Sequence, residues 1–432
     1  MWTVFAQLSF AQQLMLVLIT VVTVLLGLYA INWCLLTILS IKGRGKKLPA
    51  PRLDDLPEVT IHIPLFNERL VAARLIQSCL KMDYPAEKLK VVVVDDSTDG
   101  TTEVVEPFAR EFPQNVKIIH RMDRVGFKAG ALKTALENTD SEFVMIFDAD
   151  YVPPPDLLKR LVPYMYVSAD VAFVQTRSTY LNANQSWITK ALSLAIDGYG
   201  IIDQRARYAA NLLAHFSGTG GLFRRSAIQS VGGWSSDTLT EDLDLSIRLQ
   251  LEGWKYIYLP ELTVPGEIPP SLKLLRRQQH RWARGFAQCI RKHYHSIIGS
   301  RSLSFFQKFE ALMLLATYFV CPISIVSLAL LIPYFYVFPL SFFFNEYWQT
   351  TLGPLASAIS ASIYISPLLL YGATVSELSE EKRLACLRLT NIVGIALLGM
   401  GTLITNSKAT IKGLLGGSSA FERTTKYGAV DI

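Results

Sequence analysis

Apolar residues are arranged along this chain in two different ways. The stretches 14–41, 310–338, 351–373 and 389–404 are apolar almost throughout, whereas 59–174 alternates short apolar runs with segments of helical period. The alternating region predicts strands at 59–63, 90–94, 116–119, 142–147 and 171–175. Helices are expected between them, near 68–80, 101–111, 129–138 and 156–165. Residues 91–94 are valine at every position, as a parallel strand covered on both faces requires. The expected fold class is α/β, a doubly wound mixed sheet whose ligands bind beyond the carboxyl ends of its strands. Transmembrane helices and amphipathic interface helices are joined to it.

The first apolar stretch exceeds the roughly 20 residues that cross a bilayer as a helix. Nothing before it resembles the basic n-region of a cleavable signal, so it reads as a permanent anchor. Lys42, Arg44, Lys46, Lys47 and Arg52 follow directly, which puts the next domain on the cytoplasmic side. Residues 310–338 and 351–373 read as two further spans, and Pro322 is tolerated as a kink in the first of them. No Lys or Arg lies between Lys308 and Lys382, which suits the loop 339–349 to the outer side. Residues 389–404 are short for a span and are flanked by Arg388, Lys408 and Lys412. They read as a helix in the membrane interface with a cytoplasmic C-terminus, the alternative being a fourth span.

These boundaries divide the chain into an anchor at 1–45, a catalytic domain at 46–265, interface helices at 266–304 and two spans at 305–375. An interface helix or fourth span and a C-terminal loop occupy 376–432. Of the 432 residues, 50% are hydrophobic and 18% charged, too few charges for a wholly soluble protein. The net charge of +6 gathers near the membrane boundaries, so lipid headgroups account for it and nucleic acid is not an expected partner. Cys34, Cys79, Cys289, Cys321 and Cys386 form no CxxC pair, which argues against structural zinc and for a reducing compartment. An integral protein of a plasma or Golgi-type membrane is expected.

Candidate chemistry sits at strand ends. Asp95 and Asp96 follow 91–94 and open a helix, either as turn and cap residues or as acceptors for a nucleotide base or ribose. Glu68, after 64–67, either caps a helix or reaches the same nucleotide. Asp148-Ala149-Asp150 follows the strand ending at Phe147; it is either a solvated turn or a pair of carboxylates sharing Mg²⁺ or Mn²⁺ with a diphosphate. Lys128, in the glycine-containing start of a helix at 124–130, suits phosphate. Thr240-Glu241-Asp242 begins an amphipathic helix through Leu251, where Asp242 can serve as general base. Residues 271–298 form a basic amphipathic helix suited to the inner leaflet. Gln278, Arg281 and Trp282 within it can also bind sugar hydroxyls, diphosphate charge and a pyranose face.

In this order, Asp96, Asp148-Ala149-Asp150, Thr240-Glu241-Asp242 and Gln278…Arg281-Trp282 resemble the Asp, DxD, TED and QxxRW pattern of family 2 inverting glycosyltransferases of the cellulose-synthase-like group. The glucomannan and mannan synthase-like branch is the most similar. The resemblance runs from about residue 59 to the C-terminus, and includes 126–132, 217–221, 232–234 and 253–255. It implies a GT-A fold, with a nucleotide-sugar donor (UDP-glucose or GDP-mannose class) held by Glu68, Asp95, Asp96, Lys128, Asp148 and Arg281. Asp148 and Asp150 would hold the metal, Glu241 and Asp242 would be catalytic, and Thr219, Gln278 and Trp282 would meet the acceptor. Residues 421–426 resemble the group's FxVTxK gating loop, with Phe421, Thr424 and Lys426 retained and Arg423 in place of the usual Val. The implied reaction is single-displacement transfer of a hexose to a growing β-linked polysaccharide. The alternatives are one transfer to a lipid acceptor and an inactive sugar-binding subunit.

Overall fold

Seven strands make one mixed sheet in the order β3-β2-β1-β4-β6-β5-β7. They are β1 (Val59–Leu65), β2 (Leu89–Asp95), β3 (Val116–His120), β4 (Phe143–Ile146), β5 (Val171–Tyr180), β6 (Gly221–Arg224) and β7 (Lys255–Gly266). The computed structural model describes residues 8–45, 48–338, 353–378, 388–416 and 426–428. All five strands expected from the apolar pattern form, and helices Ala72–Leu80, Thr101–Glu111, Phe127–Glu137 and Leu157–Leu161 fill the intervals between them. In β2, Val91 and Val93 join one buried cluster with Ile61, Ile63 and Met145, while Val92 and Val94 pack on the opposite face against Ala131 and Ala135. The sheet is covered on both sides, as the uninterrupted valines require.

Strands β6 and β7 escaped the sequence reading for local reasons. β6 has four residues and begins with glycine. β7 contains Pro260 and Pro265, which mimic a loop. The chain accommodates Pro260 with a bulge: Thr176 pairs with Leu259, but Arg177 pairs with Thr263.

Register decides where the motifs fall. β1 runs parallel to both β2 and β4, pairing Leu65 with Asp95 and His62 with Ile146. The carboxyl ends of three strands therefore share one edge of the sheet. β6 is antiparallel to β4, with Gly221 opposite Ile146, so the segment 217–220 reaches the same edge from the other direction.

Among the described residues, four helices are long and apolar enough to cross a membrane: Phe10–Gly43, Thr317–Val337, Ala356–Leu378 and Asn391–Leu415. The second begins later than the sequence suggested. Glu310 belongs to a separate helix, Phe305–Leu315, and is fully buried 3.6 Å from Arg207. A buried ion pair of this kind belongs to the protein interior, not to a lipid-facing span. The last of the four is longer than the apolar run 389–404, because the helix continues through Lys408 and Lys412. It lies alongside helix Leu272–Gly299: a Cβ on Gly401 would meet Leu272 at 3.1 Å, and one on Gly413 would meet Ala287 at 2.7 Å. Its other face exposes Val393, Leu397, Met400, Ile404, Ile411 and Leu415. At the far end of Ala356–Leu378, Glu377 accepts hydrogen bonds from Arg44 (2.8 Å) and Arg205 (2.7 Å), tying it to the end of the first helix.

Candidate active site

A cavity of about 520 Å³ opens at the shared edge of the sheet. Glu68, Asp96, Lys128, Asp148, Asp150, Thr219, Glu241, Asp242, Gln278, Arg281, Trp282 and Lys426 all line it, although 358 positions separate the first from the last. Asp95 is not among the residues that line it: its buried carboxylate accepts from Ser97 N (3.0 Å) and Thr102 Oγ1 (2.5 Å) and so shapes the turn after β2. Thr219 also has a structural duty: its Oγ1 accepts from the Asp148 amide at 3.1 Å, fixing the start of the acidic triplet. Phe421 and Thr424 lie outside the described residues.

Asp96 is gripped from both sides of its carboxylate by Arg121, with Nε to Oδ1 at 2.7 Å and Nη2 to Oδ2 at 2.5 Å. A bidentate guanidinium leaves one lone pair on each oxygen for a ligand hydroxyl or base N–H. Beside it, the Arg124 guanidinium stacks on Phe66, 3.3 Å from the ring centre. Arg121 was not singled out in the sequence, and Arg124 only as the start of the segment 124–130, yet both follow β3 by the same strand-end rule that marked the acids.

Lys128 stands at the centre of the site. Its Nζ lies 2.7 Å from Asp148 Oδ1 and 3.6 Å from Glu241 Oε1, and donates to Gly218 O at 2.9 Å. Burial works against its charge, but Asp148, Glu241 and Asp242 more than compensate and hold the ammonium above its usual range. Burial in turn pushes the Glu241 carboxyl up to about 7, against the pull of Lys128, and moves Asp242 in the same direction. Asp242 Oδ1 accepts from the Leu243 amide at 2.8 Å, which leaves Oδ2 toward Gly218. A Cβ at Gly218 would come within 2.8 Å of that oxygen, and φ there is +82°, so glycine is required on both counts.

Helix Leu272–Gly299 is pressed against helix Glu241–Leu251. A Cβ on Gly285 would lie 2.5 Å from Thr240, and Gln288 Oε1 accepts from Leu239 N at 2.9 Å. Arg281 and Trp282, on the first of these helices, line the same cavity as Asp242 at the start of the second. Gln278 Oε1 is buried with no hydrogen-bond partner among the described residues, an acceptor left for a ligand.

Among the described residues, no group of three or more His, Cys, Asp or Glu could hold a metal ion. Asp148 and Asp150 remain as hard oxygen ligands, and each is paired with a lysine; Lys426 Nζ is 2.8 Å from Asp150 Oδ2. Such a set fits Mg²⁺ or Mn²⁺, which bind through one or two carboxylates and complete their shell with water and substrate phosphates. Glu267, also missed in the sequence, braces this end. Its amide donates to Asp150 Oδ2 at 2.9 Å, and its carboxylate accepts from Arg74 (2.8 Å) and the Tyr427 amide (3.1 Å).

Comparison with known proteins places these residues in context. A family model described as "Glycosyltransferase like family 2" matches residues 57–285, just over half of the chain. A probable glucomannan 4-beta-mannosyltransferase 1 of Arabidopsis thaliana is 36% identical over 312 residues, covering 70% of this chain and 56% of that protein. The glucomannan 4-beta-mannosyltransferase 2 of the same plant is 36% identical over 261 residues, covering 59% of this chain and 49% of that one. The chain thus spans about half the length of the curated relatives it matches. A mannosyltransferase of Pyrobaculum calidifontis, solved with GDP-mannose and Mn²⁺, shares the fold with a TM-score of 0.55 at 22% identity, covering 86% of this chain and all of that one.

Proposed function

The chain belongs to glycosyltransferase-like family 2, and on that premise we propose that it is a membrane-bound inverting mannosyltransferase acting from GDP-mannose on a β-linked saccharide acceptor. The observation that carries this reading is the meeting of Asp96, Asp148, Asp150, Asp242, Arg281 and Trp282 around one cavity. The plant relatives' names support a mannosyl group and a β-1,4 linkage. The Pyrobaculum calidifontis mannosyltransferase, solved with GDP-mannose, supports a guanosine diphosphate donor.

In this reading Asp96 and Arg124 receive the nucleoside, and Lys128 and Arg281 neutralise the diphosphate as it departs. The acceptor sugar rests on Trp282, with Gln278 Oε1 accepting a hydrogen bond from one of its hydroxyls. Asp242 Oδ2 takes the proton of the attacking hydroxyl while the acceptor oxygen bonds to the anomeric carbon from the face opposite the diphosphate. The bond from that carbon to the phosphate oxygen breaks, its electron pair leaving with GDP. One displacement turns an α-linked donor into a β-linked product. Asp148 and Asp150 would hold a divalent cation, which when bound would supply Lewis-acid stabilisation of the diphosphate.

With this reading goes a proposed topology that has the catalytic domain in the cytoplasm, on the side of the basic residues Lys42 and Arg44. Helices Phe10–Gly43, Thr317–Val337 and Ala356–Leu378 cross, which returns the chain at Glu377 to the side of Arg44. Lys426, at Asp150, lies on the catalytic side as well. An even number of crossings must therefore separate Glu377 from Lys426. Helix Asn391–Leu415 accordingly lies in the interface, its exposed apolar stripe in lipid and its other face on helix Leu272–Gly299.

The test is a donor screen on the purified membrane protein with Mn²⁺, reading nucleotide diphosphate release from GDP-mannose, UDP-glucose and UDP-N-acetylglucosamine. Release from GDP-mannose with a saccharide acceptor is expected. Release from a UDP sugar alone would overturn the donor assignment.

A further inference from the structure

Arg121 joins two ends of the donor pocket, yet it is not among the residues that line the cavity. At one end its Nε and Nη2 hold both oxygens of Asp96. At the other, Nη1 donates to Val125 O at 3.1 Å and Nη2 to Phe127 O at 3.2 Å. The Phe127 carbonyl belongs to the peptide unit that leads into Lys128. Four of the five guanidinium N–H groups are thus committed to protein acceptors, two on the nucleoside side and two on the phosphate side.

The segment that delivers Lys128 is one that needs holding. Met122 is 95% exposed and Val125 71%, so neither side chain packs it onto the domain. Arg121 and the stack of Arg124 on Phe66 hold it from within. Gly126 and Phe127 both take positive φ, at +75° and +50°. Glycine adopts such a backbone freely, but a phenylalanine keeps it only where its surroundings fix it. Gly130 closes the arrangement from the helix side: a Cβ there would meet Val125 O at 2.1 Å and Arg121 Nη1 at 2.7 Å.

We propose that Arg121 is a positioning residue that couples the nucleoside end of the donor pocket to the diphosphate end, setting Lys128 in register with Asp96. A planar guanidinium can serve a carboxylate and two carbonyls at once because its donors point in fixed directions. A lysine in its place keeps the charge beside Asp96 and loses the span to Val125 and Phe127. Affinity for the phosphates therefore depends on a side chain that does not line their pocket. The inference rests on the donor-binding roles given to Asp96 and Lys128, and not on which base the nucleotide carries.

The test measures dissociation constants by calorimetry on the full chain in nanodiscs, with Mn²⁺ throughout. GDP is titrated directly and guanosine by competition with GDP. Arg121→Lys should weaken GDP about tenfold, the worth of one hydrogen bond, and guanosine by much less. In the Lys128→Gln background the same change should cost GDP only what it costs guanosine, since the group it positions is gone. Gly130→Ala, which presses on the same segment and leaves Asp96 and Lys128 unaltered, should also weaken GDP more than guanosine. It carries the comparison if Arg121→Lys does not fold. Equal losses for GDP and guanosine, or a GDP penalty undiminished by Lys128→Gln, would overturn the coupling and leave Arg121 a purely structural partner of Asp96. If UDP and uridine bind in place of GDP and guanosine, the donor assignment falls, and the uridine pair decides the coupling by the same comparison. A wild type that binds neither nucleotide would overturn the donor-binding roles and the coupling with them.

Discussion

His293 Nε2 lies 2.8 Å from Asp244 Oδ1, joining the helix that carries Arg281 and Trp282 to the helix that carries Asp242. Lys292 reaches the same oxygen at 2.6 Å, and Arg248 Nε donates to Oδ2 at 2.9 Å. Asp244 is fully buried and stands two residues after the proposed base. One carboxylate thus fixes the spacing of the two helices whose side chains must face each other across the substrate.

Asp244→Asn is therefore expected to lower kcat far more than it weakens GDP-mannose binding, and to destabilise the fold by about 3 kcal/mol, as removal of one partner of a buried ion pair does. Burial opposes the charge on Asp244, but the hydrogen bonds from His293 and Lys292 and the charge of Arg248 overcome it, holding its pKa at about 2 against an ordinary 3.8. A depressed carboxylate contributes stability that is fully present above the ordinary value and is lost as pH falls through about 2. Thermal melts from pH 6 down to pH 2 should show this loss in the wild type and not in the variant. Superimposable profiles would remove Asp244 from the anchoring role.

Gly285 sits at the tightest point of the same seam. In an exposed helix, Gly→Ala stabilises by about 1 kcal/mol. Here the added methyl would stand 2.5 Å from Thr240 Cγ2, and overpacking of that kind costs about 1–3 kcal/mol. Gly285→Ala should lower the melting temperature and reduce kcat. A raised melting temperature would mean that the two helices do not touch there.

Asp242→Asn keeps the shape of the site and removes the proton acceptor. Transfer should fall by two or more orders of magnitude, within the usual range for a general base. The dissociation constant of GDP-mannose, measured by calorimetry, should stay within about twofold. Near-normal turnover would take Asp242 out of the base role.

Lys128 controls when the acids of the site ionise. Burial raises both Glu241 and Asp242, and Lys128 is the largest force pulling each back down. The reaction needs the base deprotonated, so kcat/KM rises with pH through an acidic limb lying above the ordinary carboxylate range. Removing the ammonium in Lys128→Gln lets both pKa values climb, so the limb moves to higher pH. A limb that stays in place or moves down would contradict the assigned coupling.

Much of the sheet could be read from the chain because parallel strands buried on both faces leave unbroken apolar runs, as at 91–94. β7 could not, since Pro260 is carried by a bulge that only the pairing with β5 reveals. The acidic motifs stood out because short polar groups directly after such runs fall at the ligand-binding edge. Asp95 shows where that rule gives out: it is adjacent to Asp96, and one residue's rotation turns its carboxylate into the turn. Glu310 was misread because its buried partner Arg207 lies 103 positions away.

The interface placement of Asn391–Leu415 follows from parity and can be checked without any assay of transfer. With the first three apolar helices crossing and Lys426 at Asp150, the segment after Leu415 shares the compartment of the catalytic domain. An epitope appended after Ile432 should be reached by antibody only once the membrane is permeabilised. A cysteine placed in the loop 339–349 should react with an impermeant maleimide on intact cells, because one crossing separates that loop from the domain. Detection of the C-terminal epitope on intact cells would make Asn391–Leu415 a fourth span. The contact between Lys426 and Asp150 would then be impossible in the membrane-embedded protein.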